Sequence, residues 1–291
     1  MRYKFIRENR RRYKLSEMLK ILHVSRSGYY KSIKSRSSQR KVENANLSKI
    51  IAEIFKVHRS RYGSRRIRAE LIRGGYIINR KRVIRIMREN GLIALQRRKY
   101  KATTNSAGNN HICPNLLLNK KRPLKPGEVL ASDITYIPSS EGWFYLAVVM
   151  DLFTRKVVGY STSSRINTEL VEQALKSAIK QVGSSQIKIF HSDQGIQFSN
   201  KSIRVLLKKH RINQSMSRRG NCYDNAAMES FFHSLKVELI NKQQYQTRDQ
   251  AKQAIFEYIE IYYNRKRLHS SIGYNTPEEF ENNFILNKNV A

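Results

Sequence analysis

Three carboxylates carry the clearest chemical signal in this chain: Asp133 in VLASDITYI, Asp193 in IKIFHSDQG and Glu229 in YDNAAMESFF, with 35 residues between the last two. Each aspartate lies in or just after an apolar run that reads as a buried strand, and the glutamate lies on a helix. Such elements hold acids rigidly enough to share divalent cations. Breaking or joining a phosphodiester with a hydroxyl nucleophile requires deprotonation of water or a 3′-OH and relief of charge on the leaving oxygen. Two divalent ions roughly 4 Å apart supply both. Three carboxylates suffice to hold them, because Mg²⁺ keeps water and substrate oxygens as its other ligands. The expected arrangement is Asp133 bridging both ions, Asp193 completing one site and Glu229 the other, with Mn²⁺ as a substitute metal.

Each acid has a plainer reading. Asp133 could face solvent from an edge strand, although Leu130, Ile134 and Tyr136 suggest a central strand, where an unpaired charge is costly. Asp193 could open a turn with Gln194 and Gly195, and Glu229 could be one surface acid among several. Together the three reinforce one another. Asp151, ending the second strand run, serves either as a partner behind the site or as a turn cap with Thr154, and receives no metal. Asp224 and Asn225 suit the start of the glutamate helix. Lys236, two turns after Glu229 on the same face, either meets the DNA backbone or is solvated.

Charge indicates the substrate. Lys and Arg number 56 against 22 Asp and Glu, a formal +34. Residues 1–126 hold 35 basic and 6 acidic side chains, a net +29, which leaves +5 for the rest. The first part therefore reads as a polyanion-binding region joined to a nearly balanced globular domain, and nucleic acid is the expected polyanion. A basic solvated face or an anionic-membrane binder would share the composition. No apolar run approaches the roughly 20 residues that span a bilayer, and the first twelve residues are charged rather than signal-like. A cytoplasmic, nucleoid-associated protein is expected. The two cysteines, Cys113 and Cys222, have no CxxC or paired histidine beside them and read as free thiols.

Residues 14–33 carry two short amphipathic segments around a tight break. Ser16 is placed to cap the first, which buries Met18, Leu19 and Leu22; Ser25 is placed to cap the second, which presents Arg26 and Lys31. The outline is a helix-turn-helix, and a plain helical hairpin fits it equally. A further basic helical module follows over 41–95. Residues 47–57 have helical period, residues 64–73 place Ile67, Leu71 and Ile72 on one face with Arg65, Arg66 and Arg68 elsewhere, and Asn79 caps a helix containing Val83, Ile84, Ile86 and Met87 that Gly91 ends. Over 96–126 periodicity fades into a basic linker closed by PLKPG.

From 127 the pattern turns to strands. VLASDITYIP, WFYLAVVMDLF and KVVGYSTSS read as an antiparallel meander. A helix over 167–182, the strand QIKIFHSD, a helix over 201–210, the short strand INQSMS and the glutamate helix follow. This order is that of a ribonuclease-H-like α/β integrase catalytic core, assigned to 127–240, in which the first and fourth strands lie side by side. Residues 241–291 read as a helical C-terminal extension. In it Ala251, Ala254, Ile255, Tyr258, Ile259 and Tyr262 form a stripe, and Thr276-Pro277-Glu278-Glu279 starts a helix. Arg265, Lys266 and Arg267 between them are candidate phosphate contacts, as are Arg218 and Arg219 of SRRGNC.

The segments SDITYI, HSDQGIQF, SRRGNCYDNAAMESFF and YNRKRLHSSIGYNTPEEF resemble the integrase-core signature of bacterial insertion-sequence transposases of the third insertion-sequence family, relatives of retroviral integrases. RYGSRRIRAEL and HVSRSGYY resemble the N-terminal region of the same proteins, so the likeness covers nearly the whole chain. Residue by residue, the family's acidic triad falls on Asp133, Asp193 and Glu229. One departure is Leu130, where the family often has tryptophan. The resemblance implies a DDE transposase that nicks an element end by hydrolysis and uses the freed 3′-OH for strand transfer, by a copy-out, paste-in route through a circular intermediate. It also implies double-stranded DNA partners (terminal inverted repeats and target), a homo-oligomer, and fusion to or complex with an upstream product bearing a helix-turn-helix and leucine zipper, which this chain begins without. A serine or tyrosine recombinase would need a covalent nucleophile; tyrosines are plentiful, but no arginine and HxxR cluster precedes one. A DNA-binding repressor derived from a decayed transposase is the non-enzymatic alternative.

Overall fold

In a computed structural model, residues 1–33, 39–95, 112–118, 123–218 and 225–290 are described. Most of the expected linker, Arg219, Cys222 and Asp224 lie outside these residues. The chain divides into two compact units, Met1–Ala94 and Leu95–Ala291.

The first unit is helical. Helix α1 (Arg2–Asn9) forms in the stretch read from sequence only as charged, because Ile6 supplies a buried anchor among its basic residues. It packs with α2 (Leu15–Ile21) and α3 (Arg26–Ile33) around Ile6, Met18, Leu19 and Tyr29. Ser25 Oγ accepts from Gly28 N at 3.1 Å and caps α3 as expected. Ser16 does not cap α2: that helix begins one residue earlier, after extended Lys14, and has no side-chain cap. Helix α4 (Gln39–Val57) buries Leu47, Ile51 and Phe55, α5 (Ser64–Arg73) buries Ile67 and Leu71, and α6 (Arg80–Glu89) buries Val83, Ile86 and Met87. Ile72 departs from the expected stripe and is exposed. It stands one position, about 100°, round the helix from Leu71. Asn79 caps α6 through Lys81 N at 2.8 Å.

The second unit is built on a five-stranded sheet of order β3-β2-β1-β4-β5. Strands β1 (Val129–Ser139), β2 (Gly142–Asp151) and β3 (Val157–Ser163) form the antiparallel meander. After α7 (Thr168–Val182) the chain enters β4 (Ile189–Ser192), which pairs parallel with β1. Short α8 (Ile196–Ser199) and α9 (Lys201–Lys209) lead to β5 (Asn213–Met216), parallel to β4. This mixed sheet with its crossover helices is the ribonuclease-H-like arrangement. One core face joins Leu130, Ala147, Val149, Val158 and Phe190 of the sheet to Leu170, Ala174 and Ala178 of α7. Burying each of the large side chains contributes about 1.5–3 kcal/mol. Gly159 permits this closeness: a Cβ there would lie 2.5 Å from Ala174 O and 2.6 Å from Ala178 N.

Helix α10 (Ala226–Glu238) packs against β1. Helix α11 (Arg248–Phe256), capped by Thr247, runs on into a π-helix over Glu257–Tyr263, and α12 (Pro277–Val290) follows. The π-helical segment buries Tyr258, Ile259, Tyr262 and Tyr263. At α12 the expected start holds as a reciprocal cap, with Glu279 N donating to Thr276 Oγ1 and Thr276 N to Glu279 Oε2. Residues 241–291 belong to the same compact unit as the sheet. Asn264 is one reason: its amide donates to Val157 O and accepts from Val157 N, both at 3.0 Å, completing the edge of β3.

Candidate active site

Asp133 stands in the middle strand of the sheet, and Asp193 follows directly on the strand beside it. The parallel register pairs Val129 with Ile189 and Ala131 with His191; carried two residues further, it sets Asp133 level with Asp193. Asp133 Oδ1 accepts from Ile134 N at 2.7 Å. Asp193 Oδ1 accepts from Gly195 N at 3.0 Å, and a Cβ on Gly195 would stand 2.9 Å from that same oxygen. Gln194 ties the loop to Ser217 O at 2.9 Å. Glu229 is exposed in the first turn of α10, the helix that α10–β1 packing brings across the strand of Asp133.

Asp133 registers the charge of the other two acids. Asp133 is pushed up to about 7, first by burial and then by the negative charge of Asp193, with Glu229 adding to it and Lys236 opposing it. Asp193, although solvent-exposed as a residue, is raised by the protein atoms around its carboxylate, against the Gly195 hydrogen bond. Burial raises Glu229 as well. Hard oxygen donors that repel one another suit a small divalent cation, whose charge would relieve the repulsion. Among the described residues no three acidic, histidine or cysteine side chains are grouped closely enough to hold a metal ion as they stand.

A stability prediction follows. With its folded pKa raised, Asp133 contributes stability that is fully present below its ordinary value of 3.8 and lost as pH rises through about 7. In EDTA, Asp133→Asn is expected to raise the Tm at pH 8 by a few degrees, about 1 kcal/mol being worth roughly 2–4 °C in a domain of this size. At pH 5 the two proteins should differ much less. Thermal unfolding at both pH values checks this, and a variant no more stable than the parent at pH 8 would refute it.

The neighbours differ in use. Asp151 is almost fully buried and caps a turn: its carboxylate accepts from Thr154 Oγ1 at 2.6 Å and from the amides of Phe153 and Thr154. Of the basic candidates, Arg26, Lys31, Arg65, Arg218 and Lys266 are exposed. Arg66 lies over the Tyr62 ring, and Arg68, also exposed, donates to Ile78 O. Arg265 is exposed and lies 3.6 Å from Glu278. Lys236 is half-buried beside Asp133, its Nζ 4.6 Å above the Tyr136 ring.

Arg267 corrects an expectation. It is 1% exposed and cannot meet phosphate: its guanidinium donates to both Glu238 oxygens at 2.7–3.1 Å and to Ser234 Oγ at 3.0 Å, all on α10. Tyr258 OH donates to the same carboxylate at 3.0 Å. Burial works against the charge on Arg267, but Glu238 more than offsets it and holds the proton firmly. Sequence reasoning missed Glu238, Ser234 and Tyr258. The only available signals were single charges interrupting apolar runs, at VELI and RLH.

The integrase core domain family matches at residues 123–222 and again at 229–285, and an HTH-like domain matches at 41–100. The transposase InsF of insertion sequence IS3A from Escherichia coli is 38% identical over 293 residues, covering all of both chains. A 31 kDa protein of insertion element IS600 from Shigella sonnei is 40% identical, covering 92% of this chain and 98% of that one. The magnesium-bound catalytic core of HTLV-2 integrase superposes with a TM-score of 0.43 at 16% identity, over 55% of this chain and 99% of that one. That overlap is too loose to add to the assignment.

Proposed function

Since this chain belongs to the IS3-family transposases, we propose that it cuts insertion-sequence ends and joins them by transfer to a DNA 3′-OH, with Asp133, Asp193 and Glu229 as its catalytic acids. The observation that carries this is that Asp133 lies on β1 and Asp193 directly after the parallel neighbour β4, with Asp133 feeling the charge of both Asp193 and Glu229. Two Mg²⁺ ions, or Mn²⁺ in their place, would supply acidity to the attacking hydroxyl and neutralise the leaving oxygen. The protein's own contribution is placement. The sheet fixes two carboxylates, α10 carries the third, and Lys236 adds a cation on the strand side where phosphate would lie.

Water is the nucleophile of the first step and the freed 3′-OH that of the second. No side chain bonds to phosphorus, so a phosphorothioate centre inverts in each step. No protein–DNA adduct should survive denaturation. A denaturant-stable covalent complex with element-end DNA would overturn this mechanism in favour of a covalent recombinase. Binding of those ends without cutting or joining would leave the repressor reading. The partners in this proposal are the terminal inverted repeats and target DNA, held by a homo-oligomer, with the upstream helix-turn-helix and leucine-zipper product as a fused or separate companion.

DNA affinity is assigned mainly to the basic first part, including Arg26, Lys31, Arg65, Arg66 and Arg68, with Arg218, Arg219, Arg265 and Lys266 beside the core. Residues 1–126 should bind duplex DNA with a steep salt dependence, each neutralised phosphate adding roughly 0.9 to the log–log slope. Filter binding across a salt series measures it. Equal affinity and slope for 127–291 would contradict the division.

A further inference from the structure

The strand that carries Asp133 continues into a hairpin with an unusual surface. Tyr136 is 45% exposed and Trp143 53% exposed. The register pairs Tyr136 with Tyr145 and Pro138 with Trp143, which puts Tyr136 and Trp143 on one face of the sheet. Their rings meet edge to face, with centroids 5.1 Å apart at 88°. Lys236 covers the Tyr136 ring while facing Asp133 electrostatically, so the indole supplies the open aromatic surface.

The hairpin is held from the C-terminal side. Ser140 N donates to Tyr245 O at 2.9 Å, Arg248 N to Glu141 Oε2 at 2.8 Å, and an Arg248 Nη to Glu141 O at 2.7 Å. Ser139 Oγ closes the turn onto Gly142 O at 2.7 Å. Along β1, Tyr136 lies about 10 Å from Asp133 at 3.3 Å per residue, on the alternate face of the strand, and Lys236 of α10 is the group that lies near both.

We propose that Trp143, backed by Tyr136 and Lys236, is a stacking platform for a nucleobase that has left the helical stack in the DNA strand running through the carboxylate site. The chemistry selects the occupant. Bases within a duplex already have both faces covered, whereas an unpaired base beside a cut or bent phosphate has a bare face that an indole can cover. Lys236 beside the ring suits the phosphate of that same nucleotide. The inference rests on the carboxylates being the catalytic site. The base could come from the element end or from the target strand, and the platform chemistry is the same for both.

The chain has one tryptophan, so its fluorescence reports on this site directly. Full-length protein in EDTA would be titrated with the duplex end of its own element carrying two unpaired terminal nucleotides, and separately with a target duplex containing a two-base mismatch. Anisotropy of labelled DNA would follow occupancy in parallel. Saturable quenching that tracks occupancy, and that disappears when the unpaired nucleotide is made abasic, supports the platform. The DNA that quenches identifies the strand. Trp143→Ala and Tyr136→Ala should each reduce the preference for unpaired over fully paired DNA by about tenfold, the scale of one stacked base. Trp143→Phe should keep most of it, with far-UV circular dichroism verifying the fold of each variant. Full occupancy without quenching by either DNA, or an unchanged preference in Trp143→Ala, would overturn the proposal. The two readings fail separately. Asp133→Asn should still quench; if it also still transferred strands, the catalytic assignment would fall, whereas an inactive Asp133→Asn protein that never quenches removes only the platform.

Discussion

Asp133→Asn, Asp193→Asn and Glu229→Gln are each expected to lower cleavage and strand transfer roughly 10³-fold or more, about 4 kcal/mol of barrier, while DNA binding is largely kept. The reasoning is geometric. Asp133 lies on β1 and Asp193 immediately after its parallel neighbour β4, so an amide at either position keeps the shape but removes the charge that would hold a divalent ion. Glu229 lies in the exposed first turn of its helix, and its loss should be the least disruptive to folding. Assays on element-end DNA with Mg²⁺ and with Mn²⁺ measure the effect. Full strand transfer by any one variant would remove that residue from the catalytic set.

Arg267→Met is expected to destabilise the protein by about 3–5 kcal/mol, because it strands the Glu238 carboxylate in a buried site without its partner. Exchanging Glu238 as well, for glutamine or methionine, should recover much of the loss, since the cost arises from an uncompensated charge rather than from the missing bridge. Denaturant unfolding of the single and double variants gives the coupling energy. A single variant within 1 kcal/mol of the parent would show that the pair carries little of the stability.

Much of the catalytic unit was legible because its signals are local. The strands of the meander read as β-branched and aromatic runs, Asn79 and Thr276 as caps, and the two aspartates as charges set against buried strand. Adjacency of β1 and β4 came from matching the order of elements to a known fold and not from the residues, since strand order is a long-range property that one sequence does not print. Arg267 was misread for a related reason. In RKR, three basic neighbours look alike, and only the partner 29 residues earlier separates the buried one from the two exposed. The π-helical turn and α1 were equally invisible, the first because it breaks the period used to find helices, the second because one buried isoleucine among many charges makes a faint stripe. Trp143 read as one more apolar residue of a strand; its exposure depends on the hairpin and what braces it.

The Glu238–Arg267 pair also has a genetic consequence. Copies of a mobile element accumulate stop codons, and a product ending after Glu229 but before residue 267 would retain the basic helices and all three proposed catalytic acids. If it folded, such a protein would occupy element ends and poison transposition by intact copies. Without Arg267, the buried carboxylate of Glu238, at the C-terminal end of the helix that carries Glu229, has no counter-charge, so the sheet-and-helix unit of such a product is expected to be strongly destabilised. Truncated copies of this reading frame are therefore expected to lose the second unit to unfolding and proteolysis, leaving only the basic first part to compete with intact copies for DNA.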